Sequence, residues 1–179
     1  MAHTPGTPLA PEGRRRGEAA LSPRGNGTGQ VRLLLDAISK EIIEQLQQDG
    51  RRSYAAIGKA VGLSEAAVRQ RVQRLVELGA MQIVAVTDPM TLGFRRQTMI
   101  GIRCNGDLER VADQLASMPE IDYVVITAGS FDLLIEVVCE DDDQLLEILS
   151  QVRTIPTVTT TETFVYLKLR KQSYSWGTR

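Results

Sequence analysis

At 179 residues, 42% of them apolar, the chain can bury one medium core or two small ones. No apolar run approaches the roughly 20 residues of a membrane helix and residues 1–30 lack the apolar centre of a secretory signal, so a soluble, cytoplasmic protein without a membrane partner is expected. The formal charge of −1 hides an asymmetry: residues 51–74 carry six basic side chains against one acid, Glu65, whereas residues 120–150 carry nine acids and no base.

Residues 1–30 are rich in Gly, Pro, Thr and Arg with few large apolar side chains, the composition of a mobile tail. Arg14, Arg15 and Arg16 could touch DNA phosphates, or the tail could simply be solvated. Asp36 is a good N-cap for a helix over 37–48, with Ile38, Ile42, Ile43 and Leu46 at helical spacing and Asp49-Gly50 after it. Ser53 caps a second, short helix bearing Ile57, Ala60 and Val61 on one face, and Gly62 supplies a left-handed turn. Ser64 caps a third helix over 65–78, its capping box incomplete because Ala67 stands where Glu or Gln would return the bond.

From Met81 the period becomes two. Residues 82–87 read as a strand leading to the Asp88-Pro89 turn, and 97–104 as another, before helical spacing returns over 108–118. Strands follow at 121–127 and 131–139 around Ala128-Gly129-Ser130, then a helix marked by Leu145, Ile148 and Val152, then a strand at 158–169. The order β, α, β, β, α, β is the ferredoxin-like plan, giving an α+β chain. Its expected division is a tail (1–30), a helix-turn-helix (31–80), a linking strand and turn (81–96), a ferredoxin-like domain (97–171) and a second tail (172–179).

On the third helix Val68, Val72 and Leu75 share a narrow arc and face the core, leaving Ala66, Arg69, Gln70 and Gln73 outward with Ser64 at the leading end. Arg can fork onto guanine, Gln can pair with adenine, and Ala permits approach to a thymine methyl, so double-stranded DNA is the expected partner. Arg69 and Gln70 are the first choices for base edges. Arg71, Arg74, Arg51 and Arg52 flank them and suit phosphates. A solvated basic helix would carry the same charges.

In the second half, Leu133, Ile135, Val137 and Cys139 form one face of a strand, while Asp132, Leu134, Glu136 and Val138 form a mixed face that suggests cover by a second subunit. Two recognition helices about 34 Å apart would then match successive major grooves. Residues 128–132 could offer backbone N–H groups to a ligand carboxylate, with Asp132 accepting from its ammonium group. A plain hairpin turn explains the same residues. The acidic run 140–143 could suggest a divalent cation, but acids before a helix more often favour its N-terminus. Cys104 and Cys139 fall at opposite ends of neighbouring strands, so a disulfide between them within one subunit is not expected, and the one histidine, His3, lies in the tail; no metal or cofactor is expected.

Over 34–171 these features resemble the leucine-responsive and asparagine-regulator (Lrp/AsnC) family. The marks are Asp49-Gly50-Arg51, Ser53-Tyr54, Val61-Gly62-Leu63-Ser64, Arg71-Val72-Gln73-Arg74-Leu75, Asp88-Pro89, Leu92-Gly93, Gly129-Ser130-Phe131-Asp132 and Thr161-Glu162-Thr163. The resemblance implies a winged-type helix-turn-helix, a regulatory domain that dimerises and often builds rings of four dimers, and an amino-acid effector bound between dimers. It places Gly129, Ser130 and Asp132 in that pocket, with Phe164, Val165 and Tyr166 as walls. Phe164 stands where a tyrosine is frequent in the family. Two rivals are an amino-acid-processing enzyme, disfavoured by the lack of a nucleophile, base and metal constellation, and an amino-acid-binding module without DNA.

Overall fold

The computed structural model describes residues 35–179; the tail over 1–30, with Arg14, Arg15 and Arg16, lies outside the described residues. The first unit is three helices, α1 (Ala37–Gln48), α2 (Tyr54–Val61) and α3 (Glu65–Glu77). Each starts where a short oxygen-bearing side chain satisfies an orphan backbone N–H: Asp36 accepts from Ser39 N at 2.8 Å, Ser53 from Ala56 N and Ser64 from Ala67 N, both at 3.2 Å. All three caps coincide with those expected from the sequence.

The turn between α2 and α3 depends on two glycines. Gly62 has φ 73°, a left-handed conformation that strains side chains with a Cβ. Gly58 lies under the returning chain, where a Cβ would come within 2.5 Å of the Leu63 carbonyl oxygen. Ile42, Leu46, Ile57, Val68 and Val72 close the core beneath, with Tyr54 and Leu63 packed on its margin. Each such side chain contributes roughly 1.5 to 3 kcal/mol when fully buried, and together they hold α3 against the other two helices.

Residues 81–88 form neither helix nor strand, which corrects the strand expected at 82–87 and leaves the implied wing without one. The physical reason is pairing. The β-branched Ile83, Val84 and Val86 fit a strand, but the sheet contains only the four strands described next, and these side chains are about half exposed. The Asp88 turn does form, with Asp88 accepting from Met90 N at 3.0 Å.

The second unit runs β1 (Arg96–Cys104), α4 (Leu108–Ala116), β2 (Ile121–Ile126), β3 (Leu133–Cys139), α5 (Asp142–Arg153), β4 (Val158–Val165). The strands lie in the order β2-β3-β1-β4 and every neighbouring pair is antiparallel, as the ferredoxin-like plan requires. Ile100, Ile102, Leu133, Ile135 and Val137 point to the helices and pack against Val111, Leu115, Ile148 and Val152. Alternation sends Met99, Gly101, Leu134, Glu136 and Phe164 to the other face. Cys104 and Cys139 are buried at opposite ends of β1, since Cys139 pairs with Arg96.

The last strand stops at Val165 rather than Leu169, because its ladder with β1 runs out at Thr98 and closes with Tyr166 N donating to the Gln97 carbonyl at 2.9 Å. The chain beyond, expected as a tail, returns to the first unit: Gly177 N donates to Gln47 Oε1 on α1 at 3.1 Å and the Thr178 hydroxyl to Glu44. Among the described residues no helix is long and apolar enough to cross a membrane.

Candidate nucleic-acid interface and ligand face

Burial of Val68, Val72 and Leu75 fixes the rotation of α3, so Ala66, Arg69, Gln70 and Gln73 face solvent, with Ser64 exposed at its head. This is the arrangement the spacing called for. Arg74 and Arg51 are exposed and Arg52 is half-buried. Two of the outward side chains are held by acids one turn away. Arg69 Nη2 meets Glu65 Oε1 at 2.6 Å, and Gln73 Nε2 donates to Glu77 Oε1 at 2.9 Å. The Arg69 guanidinium also lies over the Tyr54 ring, 5.3 Å from its centre.

Arg71, expected beside the base-reading face, turns back into the domain. Its Nη1 donates to both carboxylate oxygens of Asp36, at 2.9 and 2.8 Å, and to the Ser39 hydroxyl at 3.0 Å. The Ser39 hydroxyl, the Ser39 backbone N–H and Arg71 together hold the Asp36 carboxyl down at about 2. Arg71 therefore ties α3 to the start of α1. Neither Tyr54 nor Glu65 was singled out as functional from the sequence, although the Glu65 to Arg69 spacing of four was a usable signal.

In the second unit, Gly129 and Ser130 are exposed at the tip of the β2–β3 turn, which is closed by Thr127 N to the Asp132 carbonyl at 2.9 Å. Asp132 accepts from the Cys104 backbone N–H through Oδ2 at 2.9 Å, beside the irregularity in β1 at Arg103/Cys104. It thus satisfies a backbone donor that the ladder leaves over. Burial, and secondarily the Asp132 charge, push the Cys104 thiol up.

Phe131 lies across the outer sheet face on Gly101, where a Cβ would be 2.7 Å from the ring. Phe164 meets that ring edge-on, with centroids 6.0 Å apart, and the Arg103 guanidinium lies 5.7 Å from its centre. Residues 129–132 and Phe164 are therefore gathered around Phe131. Tyr166 lies further along, by Glu136, which in turn accepts from Gln97 at 2.9 Å; burial first, then the Glu136 charge and hydrogen bond, push the Tyr166 hydroxyl up to about 12. Val165 is not part of this surface: it pairs with Thr98, on the helix-facing side. Strand alternation separates Val165 from Phe164, a correction to the set of walls expected from the resemblance. Gly101 and Arg103 were not foreseen, because only the register brings them beneath Phe131.

The acidic run has local partners. Asp141 caps α5 through Gln144 N at 2.9 Å, and Asp142 pairs with Arg96.

Residues 35–76 match the model of the AsnC-type helix-turn-helix domain, and residues 94–179 match that of a C-terminal dimeric alpha+beta barrel domain. The chain is similar to the HTH-type transcriptional regulator FL11 of Pyrococcus horikoshii, 33% identical over 145 residues that cover 80% of this chain and 96% of that protein. Among solved structures it resembles Escherichia coli AsnC, with a TM-score of 0.66, 26% identity, and coverage of 78% of this chain and 97% of the other. It shares its fold with the transcriptional regulator NMB0573 of Neisseria meningitidis, solved as an L-Met complex, at TM-score 0.66, 22% identity, and coverage of 79% and 95%.

Proposed function

Because the chain belongs to the Lrp/AsnC family of transcriptional regulators, we propose that α3 is its sequence-reading helix and that an amino acid bound near Phe131 alters its DNA affinity or assembly. It is a DNA-binding regulator rather than an enzyme, as its relatives are. The observation that carries the reading is the orientation of α3: three buried side chains turn Arg69, Gln70 and Gln73 outward on the helix that follows the Gly62 turn. Arg69 and Gln70 contact base edges, with Ser64, Ala66 and Gln73 alongside them. Arg74, Arg51 and Arg52 neutralise phosphates and fix register, while Arg71 keeps α3 seated on α1.

The outer sheet face is the surface for a second copy, which suits a domain of a dimeric class and the partial exposure of Tyr123, Phe164 and Tyr166. Four such dimers would make the octamer. In the effector site, N–H groups of the turn at Gly129 and Ser130 receive the ligand carboxylate and Asp132 receives its ammonium group. Phe131 and Phe164 supply apolar cover, with Tyr166 at the margin. The L-Met complex of the Neisseria regulator supports an amino acid as the ligand class. No cofactor is invoked, and the working compartment is the cytoplasm, where the DNA is.

A mobility-shift titration with the DNA upstream of the protein's own gene, run over a salt series with and without each common amino acid, tests this. Affinity should fall by roughly 0.9 log unit per log unit of salt for each phosphate neutralised. Arg69→Ala should lose about 1 to 3 kcal/mol on the cognate fragment and much less on random duplex. Absence of binding to every chromosomal fragment at low ionic strength would overturn the proposal.

A further inference from the structure

Arg69 is an outward side chain of α3 with two partners. Its Nη2 donates to Glu65 Oε1 at 2.6 Å, and its guanidinium carbon lies over the Tyr54 ring, 5.3 Å from the centre. The two holding groups are themselves fixed. Tyr54 is the first residue of α2, directly after the Ser53 cap, and its ring packs against the helical core. Glu65 is the first residue of α3, directly after the Ser64 cap, where the helix N-terminus favours a carboxylate.

A guanidinium held by a hydrogen bond at one nitrogen and by an aromatic ring near its central carbon has its position restricted, while the N–H groups not used by Glu65 stay available to a ligand. The side chains of Arg69 and Glu65 are 61% and 52% exposed, and an ion pair so exposed adds little to stability. Its consequence lies in what the arginine can do. A solvated, unpaired arginine on this face would reach any nearby phosphate, whereas one neutralised by Glu65 and aimed by Tyr54 gains little from phosphate and much from a base edge in the matching place.

We infer that Glu65 and Tyr54 are specificity-determining positioning residues: they aim the Arg69 guanidinium before DNA arrives, and Glu65 withholds its charge from the phosphates. This rests on the reading of α3 as the base-contacting helix. Glu65 acts by suppressing binding to the wrong duplex, so its removal strengthens non-specific association.

The test uses the full chain with Glu65→Gln, Arg69→Ala, the double variant, Tyr54→Phe and Tyr54→Leu, each checked for helix content by circular dichroism. Affinity is measured on the best-bound upstream fragment and on its scrambled counterpart over a salt series. Glu65→Gln is expected to bind the scrambled duplex more tightly, with a log–log salt slope steeper by about 0.9 as Arg69 takes a phosphate. Its preference for the specific fragment should fall at least about fivefold, the lower end of losing one ordered base contact. In the Arg69→Ala background the same substitution should leave both slope and preference unchanged. Tyr54→Phe, which keeps the ring face, should retain the native preference, and Tyr54→Leu should lose it while remaining folded. An unchanged preference in Glu65→Gln, or an equal change with and without Arg69, overturns the inference while leaving α3 as the reading helix. Failure of the unsubstituted protein to prefer any duplex overturns the proposed function itself, and this inference with it.

Discussion

Replacing Gly58 by alanine probes whether the turn between α2 and α3 is as tightly seated as its geometry indicates. The new methyl would lie 2.5 Å from the Leu63 carbonyl oxygen, where ordinary contact begins at 3.4 Å, so the turn has to lift by most of an ångström. Leu63 cannot rotate away, because the obstructing atom is backbone and its own N–H donates to the Gly58 carbonyl at 2.9 Å. Overpacking of this kind costs about 1 to 3 kcal/mol. Weakening that hydrogen bond adds about 1 kcal/mol, and the better helix propensity of alanine returns about the same. A net loss of about 1 to 3 kcal/mol follows. Gly62→Ala is the control: nothing lies within 4 Å of its Cβ, so only the left-handed backbone is penalised, at roughly 1 to 2 kcal/mol. Urea unfolding followed by far-ultraviolet dichroism reads both, and DNA affinity at matched folded fraction reads the displacement of α3. A Gly58→Ala chain as stable as the native one, with unaltered affinity, would mean that the turn yields freely and does not set the position of α3.

Three further outcomes are expected. Asp36, held at about 2 against an ordinary 3.8, contributes stability that is present above about pH 4 and lost as pH falls through about 2, so Asp36→Asn should show a flatter stability profile between pH 5 and 2; parallel profiles in urea titrations would refute this. Ile135→Ala, at a fully buried position in the centre of β3, should lose about 2 to 5 kcal/mol and Ile135→Val about 0.5 to 1.5 kcal/mol in the same assay. Asp132→Asn keeps an oxygen for the Cys104 N–H and so should stay near native stability, yet lose calorimetric binding of the amino acid that the native chain recognises. An unchanged isotherm would remove Asp132 from the ligand site.

What the sequence disclosed was mostly local. Asp36, Ser53 and Ser64 announce three helix starts, because a cap is satisfied within three residues of itself. Alternation along 133–139 likewise announced which side of β3 is buried. The failures concern what a local pattern leaves open, pairing across long separations above all. Residues 82–87 have the composition of a strand, but a strand exists only with a neighbour, and the four-stranded ladder contains none for it. The resemblance carried Phe164, Val165 and Tyr166 over together as walls, whereas strand alternation puts Val165 on the opposite face from Phe164. The Arg71 to Asp36 tie spans 35 residues and the Arg69 to Tyr54 contact crosses between helices, so neither has a sequence signature.

The burial of both cysteines makes the molecule convenient for spectroscopy. Cys104 and Cys139 are the chain's two thiols; both are shielded from solvent, and that of Cys104 is further disfavoured from ionising. Maleimide chemistry, which requires an accessible thiolate, should therefore bypass them and mark a cysteine introduced on the outer surface. A fluorophore attached at Gln73 or Gly129 would report separately on the duplex-facing helix or on the ligand-side turn, without first deleting any native sulfur.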